Sequence, residues 1–454
     1  MYMSDAGLDR LFNPRSVAVL GASTKEGKVG YELLKNLILG GYEGEIYPVN
    51  PKGGSIFNLE FYRDPHELPE DIDLALIALP GDKAIESLKT LAYKGLGGAV
   101  VYAAGFEESG DMDRVRELKN IVDETGVRVI GPNCAGFIYG GSRLYAGFVP
   151  GVEYGDLGLI SQSGAFSAVV NTYLRSKGLG LKLLATLGNR ADVSEADIIR
   201  YFSDSIPVYM LYIEGLPGLV GRELAYSIKS SNAPVVVLKG GVSMESGRAL
   251  MSHTASVAGD YMMFRDIIES VGGYVVRDYI ELVDVAESVY RLDPPSGVSV
   301  AIVTNGGGPA VILMDHLSGG GLRIDNTPRE IVGKLGFLRK YMNRGNPIDL
   351  TADGDEDLYY HTISILMKDS WPDIIVSIHV PPSLIDPYKV MKSVADAYVD
   401  SGGVKPLIPL FMGVEMSEYV RILGGVGLPT PTTHRSAAES IKYLVMRREA
   451  PPHR

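Results

Sequence analysis

At 454 residues the chain is too long for one ordinary core and implies about three domains. With 46% hydrophobic and 22% charged residues it has the balance of a soluble globular protein, and a net charge of −12 argues against a general nucleic-acid binder while leaving room for a local basic pocket for phosphates. One cysteine excludes a disulfide framework and fits a reducing compartment. No apolar run reaches the roughly 18 residues of a membrane span, and no basic region with an apolar run opens the chain. A soluble cytoplasmic protein is expected.

Short β-branched runs alternate with helical stretches from end to end. SVAVLGAS, GEIYPVN, DLALIALP, GGAVVYAAG and VRVIGPN form a first series of strands, closed by glycine, proline or asparagine. LGLISQSG, KLLATLGN, VYMLYIEG and PVVVLKGG form a second series. RLDPPSG, residues 291–297, has linker composition, and VSVAIVTNGGG opens a third. Strands alternating with helices imply parallel βαβ units with ligands at the carboxyl ends of the strands. The second and third series look like degenerate copies. LGLISQSGAFSAVV aligns without gaps on VAIVTNGGGPAVIL, pairing Ser161 with Thr304 and Gly164 with Gly307. Gly178-Leu179 keeps register with Gly321-Leu322, and Gly188-Asn189 and Asp192 match Gly345-Asn346 and Asp349. The expected domains are 1–140, 141–294 and 295–454, the last two flavodoxin-like.

Chemistry is concentrated at the strand ends. After SVAVL come Gly21, Ser23, Gly27 and Gly30, then the helical YELLKNLIL. Glycines there let a backbone approach a pyrophosphate, and the helix N-terminus offers free N–H groups. The next strand ends in Pro48-Val49-Asn50-Pro51-Lys52, where a nicotinamide site wants an acid. Lysine suits a phosphorylated ribose, as in NADP or coenzyme A. Leu79-Pro80, Ala104-Gly105 and Asn133-Cys134 would line the same crevice, Cys134 reading as a small packed residue because no base accompanies it. Ser163-Gly164 and Gly307-Gly308 open helices with little side-chain bulk and are candidate anion sites. His253 stands in the small-residue loop GGVSMESGRALMSHTASVAGD, residues 240–260. No second ligand lies at metal spacing, so no metal is expected. No nucleophile elbow or triad accompanies it, which leaves histidine as the nucleophile itself. Glu214, at the end of LYIEG, is the acid to orient it.

These pieces occur together in order, and the chain resembles the α subunit of the nucleoside-diphosphate-forming acyl-CoA synthetases, relatives of succinyl-CoA synthetase. The resemblance rests on GASTKEGKVG, YPVNPK, GPNCAGF, SQSGAF, Glu214, KGGVSMESGRALMSHTASVAG, TNGGGPAVILMD and NPIDLT, and covers essentially the whole chain. It implies a Rossmann-like CoA-binding domain holding coenzyme A through Gly21, Ser23, Lys25, Gly30, Asn50 and Lys52. It implies that His253 is phosphorylated, that Glu214 orients it, and that Ser163-Gly164 and Gly307-Gly308 hold its phosphate. The reaction implied is acyl-CoA + ADP + phosphate giving acid + ATP + CoA, reversibly, through acyl phosphate. Ala255 departs from the family's usual His-Thr-Gly. No ATP-grasp segment is read in the chain, so ADP/ATP with Mg is expected on a separate β subunit, in an α2β2 assembly. The alternatives are an NADP-dependent oxidoreductase, suggested only by the opening glycine loop, and a CoA-binding regulator without catalysis, against which His253 and Glu214 both speak.

Overall fold

The computed structural model describes residues 5–216, 218–243, 245–246, 261–381 and 385–448; His253 lies outside them. The chain forms two compact units, Met1–Thr172 with Leu179–Val275, and Tyr173–Gly178 with Val276–Arg454. Among the described residues no helix is long and apolar enough to cross a membrane.

The first unit holds two sheets. In the first sheet β1 (Ser16–Leu20), β2 (Glu45–Val49), β5 (Leu74–Ile77), β6 (Gly98–Val101) and β7 (Arg128–Ile130) run parallel in the order β2-β1-β5-β6-β7. β3 (Ser55–Ile56) and β4 (Leu59–Glu60) form a small separate hairpin after β2. The strands read as near-continuous apolar runs because helices cover both faces of a parallel sheet. Side-chain alternation divides them: Val17, Val19, Leu74 and Leu76 enter one core, and Ala18, Leu20, Ala75 and Ile77 the other.

The second sheet comprises β8 (Gly136–Tyr139), β9 (Leu144–Gly147), β10 (Tyr154–Ser161), β11 (Leu181–Thr186), β12 (Tyr209–Ile213), β13 (Val235–Lys239) and β14 (Tyr274–Val276), ordered β14-β13-β12-β10-β11-β8-β9. One continuous apolar cluster runs from the first sheet into this one. Phe12 is its hinge pin, with ring centroids 5.0 Å from Phe137 and 4.8 Å from Phe202. The segment 189–193 also lies along the continuation of β7: Asn189, Ala191 and Val193 donate their N–H groups to Pro132, Gly131 and Val129. The buried Arg128–Asp192 pair, 2.9 Å, closes that seam.

The second unit carries β15 (Val300–Thr304), β16 (Ile348–Asp349), β17 (Ile374–His379) and β18 (Leu407–Phe411), all parallel in the order β16-β15-β17-β18. In all three sheets the first parallel strand lies between the second and the third, so strand order reverses beside it and a crevice opens at its carboxyl end.

The expected boundaries do not coincide with the sheets. The one at 140/141 cuts the β8–β9 hairpin, whose β8 bonds antiparallel to β11; GFIY and LYAG are too short to show a period. The one at 294/295 falls after the helix Tyr279–Arg291, which belongs to the second unit. That helix packs on the helix His434–Arg447, where Ser436 Oγ bonds Asp284 and Ser288 bonds Ser440.

His379 ends β17 with both ring nitrogens buried and without a partner among the described residues, between the rings of Tyr359 and Phe411. Burial pushes its pKa down to about 4. Below pH 6.5 the unfolded chain takes a proton that the folded chain refuses, so this group removes stability as pH falls from about 6.5 towards 4. The second unit should lose about 2 kcal/mol between pH 6.5 and 5 from His379 alone. Trp371, the sole tryptophan, packs against this unit's core, and its fluorescence reads the unfolding midpoint. His379→Leu should flatten the dependence; an unchanged slope would contradict this assignment.

Candidate functional site

The crevice above β1 is a cavity of about 480 Å³ lined by Gly21, Ser23, Lys25, Gly30, Asn50 and Lys52, together with Lys28. Its shape follows from local bonds. The N–H groups of Gly21 and Ala22 both reach Val49 O. Asn50 Nδ2 donates to Ala22 O at 2.7 Å, and its Oδ1 accepts from Lys52 N at 2.9 Å. Asn50 thus straps the first turn to the second strand end. Ser23 Oγ accepts from Lys25 N at 3.0 Å and shapes the turn. A Cβ on Gly30 would lie 2.0 Å from Gly21 O, so this glycine permits close packing of helix on turn. The helix Val29–Leu39 has no side-chain cap, leaving its positive N-terminal end to the cavity. Lys25, Lys28 and Lys52 are exposed and in no ion pair among the described residues. Three cations and a bare helix start suit a phosphorylated nucleotide, and the missing acid at the end of β2 argues against a free ribose diol.

Leu79, Pro80, Ala104 and Gly105 follow β5 and β6 along the same carboxyl edge. Asn133 turns after β7 with φ of 59°, and its Nδ2 donates to Asn189 Oδ1 at 3.3 Å. Cys134 is buried and does not line the cavity, its thiol bonded to Val101 O and pushed by burial up to about 12. It is a packed residue, with no thiolate to offer at neutral pH.

Further along the same unit lies a second cavity, of about 590 Å³, reached by Gln162, Arg190, Glu214 and Pro132. Glu214 follows β12 and is 6% exposed. Its position is imposed by Gln162, whose Oε1 accepts from the N–H groups of Glu214 at 2.8 Å and Gly215 at 3.2 Å. Gln162 Nε2 donates to the buried Glu195 at 2.6 Å and to Gly215 O at 3.2 Å. Arg190 completes the network, donating to Gly215 O at 2.7 Å and to both Glu195 oxygens at 3.4 Å. Arg190 holds a left-handed φ of 54°, an uncommon conformation for a side-chain-bearing residue. The Tyr212 hydroxyl bonds the Glu214 carboxylate; burial first, and then the Glu214 charge, push that phenol up to about 12. Lys239 donates to the Glu214 carbonyl at 2.6 Å, and its pKa is drawn down by burial against the opposing pull of the Glu214 charge. The outcome is a carboxylate of fixed position, with acceptor capacity beyond its phenol partner.

Ser163 and Gly164 open the helix Gly164–Ser176 beside this cavity. Ser163 Oγ caps Phe166 N at 3.2 Å, and a Cβ on Gly164 would strike Ala135 Cβ at 2.7 Å. In the second unit, the helix Gly307–Leu317 starts with no side-chain cap. A Cβ on Gly307 would come no nearer than 3.5 Å to Asp349, and on Gly308 would meet nothing within 4 Å. Neither has positive φ, so nothing among the described residues demands glycine at 307 and 308. An outside ligand approaching the helix start would.

The duplication read in the sequence is physical. Ser161 Oγ bonds the N–H and C=O of Ser163, as Thr304 Oγ1 does those of Gly306. Gln162 reaches the end of β12, and Asn305 reaches Val380 at the end of β17. Gly178 and Gly321 take φ of 65° and 67°.

Residues 15–140 match the CoA binding domain model and residues 154–289 match that of the succinyl-CoA ligase like flavodoxin domain. The α subunit of acetate–CoA ligase [ADP-forming] I of Pyrococcus furiosus is 33% identical over 450 residues, covering 96% of this chain and 97% of that subunit. Acetate–CoA ligase [ADP-forming] I of Archaeoglobus fulgidus is 35% identical, and the match covers 96% of this chain but 63% of that longer protein. Among solved structures, acetyl-coenzyme A synthetase 1 of Ca. Korarchaeum cryptofilum, in complex with phosphate and ADP, superposes with a TM-score of 0.89 at 28% identity, covering 98% of this chain and 99% of that one. These relationships favour the ligase reading over an oxidoreductase or a regulator. With its duplicated sheets, its phosphate-compatible crevice and its tethered Glu214, the chain belongs to the family of α subunits of ADP-forming acetate–CoA ligases.

Proposed function

We propose that this chain converts a CoA thioester and phosphate into the free acid and CoA while capturing the phosphoryl group on His253, for delivery to ADP on a separate subunit. Phosphate attacks the thioester carbonyl; the C–S bond breaks and CoA leaves as the thiol, giving acyl phosphate. An imidazole nitrogen of His253 attacks phosphorus, the P–O bond to the acyl group breaks, and the acid departs. The β-phosphate oxygen of ADP then takes the phosphoryl group and restores the imidazole. Glu214 accepts a hydrogen bond from the other imidazole nitrogen, fixing the ring's tautomer and stabilising the positive charge that forms on it. Each helix start, at Gly164 and at Gly307-Gly308, is suited to a phosphoryl anion.

The observation that carries this reading is Glu214, held over a cavity by Gln162 in the same compact unit as the crevice for a phosphorylated nucleotide. The nucleotide site, with its Mg, is assigned to an ATP-grasp partner, as the subunit name of the Pyrococcus relative supports, and an α2β2 assembly is the simplest form. Lys52 is assigned to the ribose phosphate of CoA. Lys52→Ala should weaken CoA about tenfold and dephospho-CoA by less than about twofold, as expected for one charged contact, measured by titration calorimetry. Equal losses for the two ligands would remove Lys52 from the phosphate.

A further inference from the structure

We propose that Lys239 is a positioning residue for phosphoryl transfer: its ammonium gathers both ends of the segment that carries His253 against the backbone of Glu214, so that the imidazole meets the Glu214 carboxylate. This rests on the phosphohistidine reading above. Strands β12 and β13 lie side by side with Ile213 opposite Lys239, and Gly240 N donates to Ile213 O at 2.8 Å. Beyond that bond the two chains part, one into the turn at Glu214 and the other towards His253. The Lys239 ammonium spans the parting. It donates to Glu214 O at 2.6 Å and to Gly240 O, where the segment begins. It also stands 5.9 Å from the centroid of the Phe264 ring, on the helix Tyr261–Ser270 that follows His253. At that distance a cation and a ring face attract.

The surroundings of this ammonium support the same role. Lys239 is 7% exposed, and a buried ammonium carries a desolvation cost that an apolar side chain of the same length avoids. Packing alone does not account for it. At the entry, a Cβ on Gly240 would lie 2.7 Å from Tyr212 Oη, the hydroxyl that bonds the Glu214 carboxylate. Glycine at 240 lets the chain leave β13 past that phenol without displacing it. The Tyr212 ring in turn stacks on Phe166, with centroids 4.1 Å apart, in the helix that Gly164 opens. The acid, one helix start and both roots of the histidine segment thus share one packed group within one compact unit. A segment tied at both roots has fewer conformations to search, which raises the effective concentration of its imidazole at Glu214.

The test is the single-turnover rate at which acetyl-CoA and radiolabelled phosphate label the chain, per CoA-binding molecule. It is measured in the wild type, Lys239→Met, Lys239→Arg, Glu214→Gln and the double variant of Lys239→Met with Glu214→Gln. Counting only molecules that bind CoA removes any unfolded fraction. Lys239→Met should slow labelling at least about fivefold, with CoA affinity within about twofold of the wild type. Lys239→Arg should label at least about threefold faster than Lys239→Met, because a guanidinium can donate to the same carbonyls and face the same ring. The double variant should be within about threefold of Glu214→Gln alone, since the clamp acts through the meeting with that carboxylate. A smaller loss in Lys239→Met, no recovery in Lys239→Arg, losses that multiply in the double variant, or a Lys239→Met chain that no longer binds CoA would each overturn the positioning role while leaving the phosphohistidine standing. A wild-type chain that takes no label on His253 would overturn the reading beneath it.

Discussion

Glu214→Gln should slow phosphorylation of His253 by about 10²–10⁴-fold while leaving CoA affinity unchanged. The substitution keeps shape. Gln162 still accepts from the backbone N–H groups of residues 214 and 215, and an amide oxygen can still accept from the Tyr212 hydroxyl. What is lost is the negative charge that Glu214 is proposed to set against the imidazole. On that reading the ring would lose its fixed tautomer, and the cation formed as phosphorus is attacked would be unopposed by a carboxylate. Rapid quenching of the chain with acetyl-CoA and radiolabelled phosphate measures the rate. A loss below about threefold would show that Glu214 does not face the imidazole during transfer.

Lys177→Met should destabilise the second unit by about 3–5 kcal/mol. Lys177 is fully buried, with Nζ 2.8 Å from Asp284 Oδ1 and 2.8 Å from Glu287 Oε2, and both carboxylates are equally buried. Burial pulls its pKa down most, but the Asp284 and Glu287 charges outweigh burial, and the net shift is upward. Arg291 adds a second cation on Glu287 at 3.0 Å. The remaining lone pairs are met by Tyr173, Thr430, Thr432 and Ser436. Breaking a pair of this kind strands a desolvated carboxylate. Trp371 fluorescence during urea unfolding reads the loss in the unit that contains the cluster. A change under about 1 kcal/mol would mean that water enters to replace the ammonium.

The sequence made the architecture readable because parallel strands buried on both faces are written as apolar runs with punctuated ends, three times over. The duplication was legible for the same reason: Ser161 and Thr304 must accept and donate in the same turn, so the chemistry of the position survives where the apolar residues drift. The β8–β9 hairpin was not legible, since two four-residue strands rich in glycine and aromatics carry no period. The crevice residues Gly21 to Lys52 were legible through spacing. Ser163 was legible as a cap, and Cys134 as a packed residue, from composition alone. Arg190, Glu195, Gln162 and Tyr212 were not singled out, because their roles depend on neighbours dozens of residues away. The one local signal was an acid five residues beyond Arg190 in GNRADVSE. Nor could spacing show that Gly164 answers to Ala135 while Gly307 and Gly308 meet no close contact among the described residues. That distinction lies in the packing around each helix start.

His253 is the residue proposed to carry the phosphoryl group. The most direct measurement is incubation of the purified chain with acetyl-CoA and radiolabelled phosphate, followed by acid and base treatment of the protein. The wild-type chain should carry an acid-labile, base-stable label and His253→Ala none, while the variant still binds CoA as the wild type does. A label that survives acid, or one undiminished in His253→Ala, would contradict it.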